Sequence, residues 1–270
     1  MFPTFELFGR EFGTYGILVV LGGLACGFVG AWLAKKRFGI DVFDFVLIML
    51  ILGGGIFLGA HIVYALTHLD MLIKAFQNIG SLWFEKFWNI ILYCIGGMVF
   101  YGGFIGGLIT IPIYCHFNKR INAGNLFDLY AVLVPLFHVF GRIGFFLGGC
   151  CYGIESHFGF TAHGNTINPG VNDVNRFPVQ LVEAACNLLI FILILTLFRK
   201  ALMKDKLIYV YMLIYPVVRF ILEFLRGDEI RGFLFGLSTS QWISILLFVY
   251  ALIRLGIWRF RKDEDPVQIA

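Results

Sequence analysis

Apolar residues gather into seven long runs, roughly 14–34, 43–66, 89–115, 126–149, 178–198, 207–225 and 236–258, and nothing else in the chain limits its fold as strongly. The hydrocarbon core of a bilayer takes about 20 residues of helix to cross. Within each run apolar residues follow one another instead of alternating, so helices are expected and not a barrel. A soluble domain would need polar surface that this chain lacks: of its 270 residues 59% are hydrophobic, 14% are charged and 31 are phenylalanine, whereas soluble domains carry about 25% charged residues. Mean hydropathy is +0.85. The expected fold class is therefore all-α, a polytopic membrane protein with seven transmembrane helices. No linker or shift in composition interrupts residues 1–270, which read as one integral membrane domain.

The loops orient the spans. Lys35, Lys36 and Arg37 follow the first run, Lys119 and Arg120 the third. Arg199, Lys200, Lys204 and Lys206 follow the fifth, and Arg259, Arg261 and Lys262 the seventh. These twelve basic residues face six on the other side (Arg10, Lys74, Lys86, Arg176, Arg226 and Arg231). The positive-inside rule then places the N-terminus outside and the C-terminus in the cytoplasm. Residues before the first run include Glu6, Arg10 and Glu11 and lack a basic leader with a cleavage site, so the first span is expected to be retained.

Two external segments are long. Residues 67–88 hold Trp83, Phe84, Phe87 and Trp88 among scattered charges, which suits an amphipathic stretch at the interface. Residues 152–177 form a polar loop with His157, His163, Asn165, Asn168, Pro169 and Asp173. The net charge of +4 follows from the cytoplasmic loops, and no Lys/Arg-rich run with interleaved aromatics points to nucleic acid.

Glycine recurs at four-residue spacing, as in Gly55 and Gly59, Gly102 and Gly106, Gly103 and Gly107, and Gly144 and Gly148. Such pairs let helix backbones approach one another, or let a lipid pass close to the chain.

Arg142 and Arg219 are the charges hardest to reconcile with lipid, and an intramembrane charge marks a functional site by default. Arg142 either snorkels to the outer interface or lines a polar cleft. Tyr215, Arg219, Glu223 and Arg226 fall on one helical stripe. That stripe reads as a salt-bridge ladder or as a phosphate site, since guanidinium groups grip phosphate with two parallel hydrogen bonds. His138, Arg142, Phe146 and Cys150 make a second stripe four residues apart. The fifth run opens with Arg176, Pro178, Gln180 and Glu183, which puts polar groups near the outer rim of the same bundle.

Six cysteines are present. Cys26, Cys94, Cys115 and Cys186 lie in or at the end of apolar runs and read as small buried hydrophobes. Cys150 and Cys151 are adjacent, where a mutual disulfide is strained. They admit packing, thiol chemistry assisted by Arg142 or His138, or soft-metal ligation with His157 or His163, for which the spacing is poor.

At this point the sequence resembles the prolipoprotein diacylglyceryl transferase family. The likeness is carried by Tyr15-Gly16, by Tyr101-Gly102-Gly103-Phe104-Ile105-Gly106-Gly107 against the family's H-G-G-L-x-G, and by Gly141-Arg142-Ile143-Gly144-Phe145-Phe146 against G-R-x-G-N-F. It continues through Pro178-Val179-Gln180-Leu181-Val182-Glu183 against P-x-Q-L-Y-E, and through Arg219, Glu223 and Arg226 against R-F-x-x-E-x-x-R. The resemblance implies a multi-pass enzyme of the bacterial plasma membrane, without metal or organic cofactor. Such an enzyme moves diacylglyceryl from phosphatidylglycerol to the lipobox cysteine of a prolipoprotein signal peptide. In residue terms it implies that Arg142 and Arg219 hold and neutralise the phosphate. Tyr15, Tyr215, Glu223, Arg226 and Gln180 would line the substrate site, with Gly102 and Gly103 giving membrane lipid access to the backbone.

Three positions depart from the family pattern. Tyr101 stands for the motif's histidine, Phe145 for its asparagine, and Gly149-Cys150-Cys151 for an acidic ending. Tyr101 or His138 is then the candidate base and Cys150 a candidate polar or nucleophilic substitute. The alternatives are a divergent homologue using Cys150 or Cys151 on another acceptor, or a lipid-binding membrane protein without catalysis.

Overall fold

A computed structural model describes residues 3–7, 9–77, 84–166, 168–228 and 233–264. It is mostly helical, and the chain packs as two compact units, Met1–Leu33 with Phe127–Ala270, and Ala34–Leu126. Among the described residues six helices are long and apolar enough to cross a membrane: Thr14–Phe38, Val42–Thr67, Phe100–Phe117, Ala123–Gly148, Val179–Arg199 and Thr239–Trp258. This is a polytopic, all-α membrane architecture.

In the unit Ala34–Leu126, α2 (Val42–Thr67) packs along α5 (Phe100–Phe117). Glycine makes the seam. A Cβ on Gly59 would strike the carbonyl oxygen of Gly102, and one on Gly106 would strike that of Gly55. The backbones therefore touch, as small residues at four-residue spacing permit. The apolar run 89–115 is not one helix. It divides into α4 (Phe84–Gly96) and α5, separated by Gly97, Met98 and Val99. At Gly97 a side chain would run into the ring of Tyr64, and the extended Val99 donates its N–H to the carbonyl of Ala60 at 3.2 Å. Hydropathy sees one run there because both helices are apolar. The amphipathic segment contains α3 (Leu69–Gln77), whose Phe76 ring meets Phe87 of α4 edge-on at 5.5 Å. Trp83 and Arg231 lie outside the described residues.

The other unit begins with the hairpin β1 (Thr4–Leu7) and β2 (Arg10–Gly13), which leads into α1 (Thr14–Phe38). At its centre is α6 (Ala123–Gly148), half of whose most apolar stretch is buried, a larger share than in any of the other five long helices. Asp128 ties the second turn of α6 to the start of α8 (Leu207–Glu223), accepting the N–H groups of Asp205 and Leu207 at 2.7 and 3.0 Å. Gly149 ends α6 at φ +74°. The N–H groups of Gly149 and Cys150 turn back to the carbonyls of Phe146 and Phe145 at 3.3 and 3.0 Å, a Schellman closure that glycine alone adopts without strain. The carbonyls of Gly148 and Gly149 accept from Asn165 and Asn168 at 3.2 and 3.1 Å. The polar loop thus caps the helix, giving two of its last carbonyls side-chain donors.

Beyond this cap the chain makes β3 (Glu155–Thr161), pairs it with β4 (Asn175–Arg176), and enters α7 (Val179–Arg199). Ile154 donates to the carbonyl of Leu225 at 3.0 Å and Gly227 to that of Tyr152 at 3.0 Å. These bonds draw the ends of α6 and α8 together. A short hairpin, β5 (Phe233–Leu234) with β6 (Leu237–Ser238), precedes α9 (Thr239–Glu264), which packs on α8.

Candidate active site: a buried ladder of arginines and carboxylates

Glu183, one turn into α7 and 1% exposed, is the hub of the site. Its Oε1 accepts from Arg142 Nη2 of α6 at 2.9 Å and from the Tyr215 hydroxyl of α8 at 3.0 Å. Its Oε2 faces Arg219 Nη1 at 3.5 Å. Arg219 in turn meets Glu223 Oε2 at 2.7 Å, and Arg226 Nη1 lies 3.8 Å from the same oxygen. Arg226 closes the row on Asp228 with two bonds of 3.1 and 2.7 Å. Cations and anions alternate from Arg142 through Glu183, Arg219, Glu223 and Arg226 to Asp228, and their formal charges cancel. That is the condition for burying so many ions, since an unmatched one would cost several kcal/mol.

The elements explain the order. Arg219, Glu223 and Arg226 share one face of α8 at four- and three-residue steps, so neighbours pair along the helix. Arg142 sits on α6 with no carboxylate on its own stripe, so its partner has to come from α7. Sequence reasoning set Glu183 beside Gln180 at the rim without making it the hub. The overlooked signal was that two buried arginines on different helices require an anion between them.

His138 lies one turn before Arg142, and its Nε2 accepts the Arg142 Nε–H at 3.1 Å. A nitrogen that accepts there has no proton of its own, so the ring proton belongs on Nδ1. The Tyr215 ring lies 5.0 Å from the imidazole and stacks in turn on Tyr211 at 5.3 Å. Ser240 of α9 accepts from Arg219 Nη2 at 3.5 Å. Asp228 and Ser240 join the site although no sequence stripe contains them; the fold brings them from a loop and from α9, whereas Tyr211 lies one turn before Tyr215 on the same face of α8.

Gln180 donates from Nε2 to the carbonyl of Cys150 at 2.8 Å. In this position it holds the segment after α6 against the start of α7. Cys150 and Cys151 are both free thiols and half-buried, and Cys151 takes a left-handed φ of +54°. Burial raises the Cys150 thiol pKa above its ordinary value, and the neighbouring Cys151 and Asp228 push it the same way. A thiol so placed resists becoming the thiolate that nucleophilic or metal chemistry needs. Among the described residues no group of three metal-ligating side chains comes together. Tyr15 reaches α6 where Gly144 leaves room.

Tyr101, Gly102 and Gly103 belong to the unit Ala34–Leu126. Tyr101 is buried on α5. A Cβ on Gly102 would meet the Gly59 carbonyl and Val63, and one on Gly103 would meet Ile56. Within that unit, helix packing already uses the space beside both glycines.

The sequence matches the prolipoprotein diacylglyceryl transferase family over residues 4–257. A phosphatidylglycerol–prolipoprotein diacylglyceryl transferase of Clostridium tetani is 33% identical over 264 residues, covering 96% of this chain and 98% of that protein. A phosphatidylglycerol–prolipoprotein diacylglyceryl transferase 2 of Clostridium perfringens is 31% identical over 263 residues, with 96% of each chain covered. The enzyme of that name from Campylobacter hominis is 32% identical over 91% of this chain and 86% of its own length. The chain belongs to the prolipoprotein diacylglyceryl transferase family.

Proposed function

We propose that this protein transfers the diacylglyceryl group of phosphatidylglycerol to the lipobox cysteine thiol of a prolipoprotein. The peptide sulfur forms a thioether with the glyceryl carbon, the bond from that carbon to the phosphate oxygen breaks, and glycerol phosphate leaves. The observation that carries this reading is the buried ladder in a chain matched to this family over nearly its whole length. Arg142 and Arg219 converge on Glu183 from two helices, so their guanidinium groups are oriented before substrate arrives. Donors aimed in advance at developing charge are the most effective form of electrostatic catalysis. Glu183 and Glu223 hold the two arginines, Tyr215 is fixed by Glu183, and Arg226 extends the positive groups toward the loop. Tyr15 joins the head-group site from α1, and Gln180 keeps the Cys150 segment in place. His138 takes the thiol proton on Nε2 once Arg142 Nε releases that nitrogen. Tyr101 is the second candidate for the same proton.

In this reading α8 is the seventh crossing. Its 17 residues reach about 26 Å at 1.5 Å each, short of a full hydrocarbon core, which suits a helix whose outer end carries the charged site. The basic loops support an N-terminus outside and a C-terminus in the cytoplasm, and the family supports a place in the bacterial plasma membrane for residues 1–270 as one membrane domain. The raised Cys150 thiol weighs against Cys150 as the nucleophile in the alternative of cysteine-based chemistry on another acceptor. Purified protein incubated with labelled phosphatidylglycerol and a lipobox peptide tests the assignment. Glycerol phosphate release with the matching mass gain on the peptide cysteine is expected; neither appearing would end the reading.

A further inference from the structure

Phe145 stands three residues after Arg142, on an adjoining part of the same α6 face. Its ring lies 4.8 Å from the Tyr15 ring with 23° between the planes. The guanidinium carbon of Arg142 is 5.6 Å from the centroid of that same Phe145 ring. Gly144 makes the stack possible, because a Cβ there would sit 3.1 Å from Tyr15 Cδ2 and 3.2 Å from Leu18 Cβ. The glycine lets α1 come down on α6, and the phenylalanine beside it receives the tyrosine. Aromatic rings favour offset stacking on one another, and a guanidinium is drawn to a ring face within about 6 Å. Tyr15 is 36% exposed, so its ring needs such a partner to hold one rotamer at the rim.

We propose that Phe145 is a positioning residue, an aromatic clamp that orients Tyr15 and Arg142 together toward the lipid phosphate. The proposal rests on the transferase reading for what the two residues bind. An aromatic ring replaces the hydrogen-bonding asparagine of the resemblance, and it acts by stacking and by attraction of the cation instead of by donation.

The test is a double-mutant cycle of Phe145→Leu and Tyr15→Leu, with Phe145→Tyr as the conservative rescue. Two quantities are read: kcat/KM for transfer to a lipobox peptide in mixed phosphatidylcholine–phosphatidylglycerol nanodiscs, and thermal stabilisation by glycerol phosphate, which needs no turnover. Phe145→Leu should lower kcat/KM about tenfold, the size of a well-placed ring and cation contact. Phe145→Tyr should return it to within about twofold, and with Tyr15 already leucine the same substitution should cost about threefold or less. The stabilisation by glycerol phosphate should follow the same order. An equal loss in both backgrounds, or failure of tyrosine to rescue, overturns the clamp. If the wild type releases no glycerol phosphate, the transferase reading falls instead, and the clamp is decided by the stabilisation cycle alone.

Discussion

Replacing Glu183 by glutamine keeps the shape of the hub and removes its charge. The carboxylate faces Arg142 at 2.9 Å and Arg219 at 3.5 Å, and unit charges about 4 Å apart attract by about 4 kcal/mol at an effective dielectric near 20. Arg219 keeps Glu223 at 2.7 Å, so most of the loss falls on Arg142, which is 5% exposed and has no second carboxylate among the described pairs. Breaking one side of a buried pair costs about 3–5 kcal/mol, whereas removing both partners costs much less. Because the glutamine oxygen can still accept from Tyr215 or Arg142, the lower end, about 3 kcal/mol, is expected. Thermal unfolding in detergent would show Glu183→Gln melting several degrees below wild type, and the Glu183→Gln/Arg142→Gln double variant recovering part of that drop. Both variants should lose transferase activity. Two additive losses, or a Glu183→Gln protein that melts with the wild type and turns over within about twofold of it, would refute the ladder as the core of the site.

Arg142→Ala and Arg219→Ala should each lower kcat by about 10²–10³-fold, the effect of losing one preorganised donor, measured by glycerol phosphate release. Gly106→Leu should prevent α2 and α5 from meeting, since even a Cβ there strikes the Gly55 carbonyl, and the yield of folded protein in detergent should collapse. Asn165→Ala leaves the Gly148 carbonyl without its side-chain donor and should cost about 1–3 kcal/mol in thermal stability. The raised Cys150 thiol has a sign that can be checked: the thiolate is scarce at neutral pH, so alkylation of Cys150 followed by mass spectrometry should be slow at pH 7. Its rate should still be climbing above the pH at which an ordinary cysteine levels off.

Much of the architecture is local and was readable before any fold was known. Long apolar runs demand helices in lipid because backbone N–H and C=O groups there have no water to bond. The stripe from Tyr215 to Arg226 needs only the helical repeat. The break at Gly97–Val99 was hidden because hydropathy averages over a window and both flanking helices are apolar; what stops the helix is the Tyr64 ring and the Ala60 carbonyl of another helix. Likewise Cys150 and Cys151 drew attention as reactive groups, while in the fold it is the Cys150 carbonyl that Gln180 holds.

The sequence by itself determined that this chain lives in a membrane as helices, and that Arg142 and Arg219 had to be accounted for there. Tertiary structure decided which group answers them. Pairing along one helix follows from spacing, but a carboxylate shared between guanidiniums of two helices depends on how α6, α7 and α8 pack. Only that packing puts Glu183 between Arg142 and Arg219, because the energy that selects it, the mutual attraction of buried charges, acts through space and not along the chain.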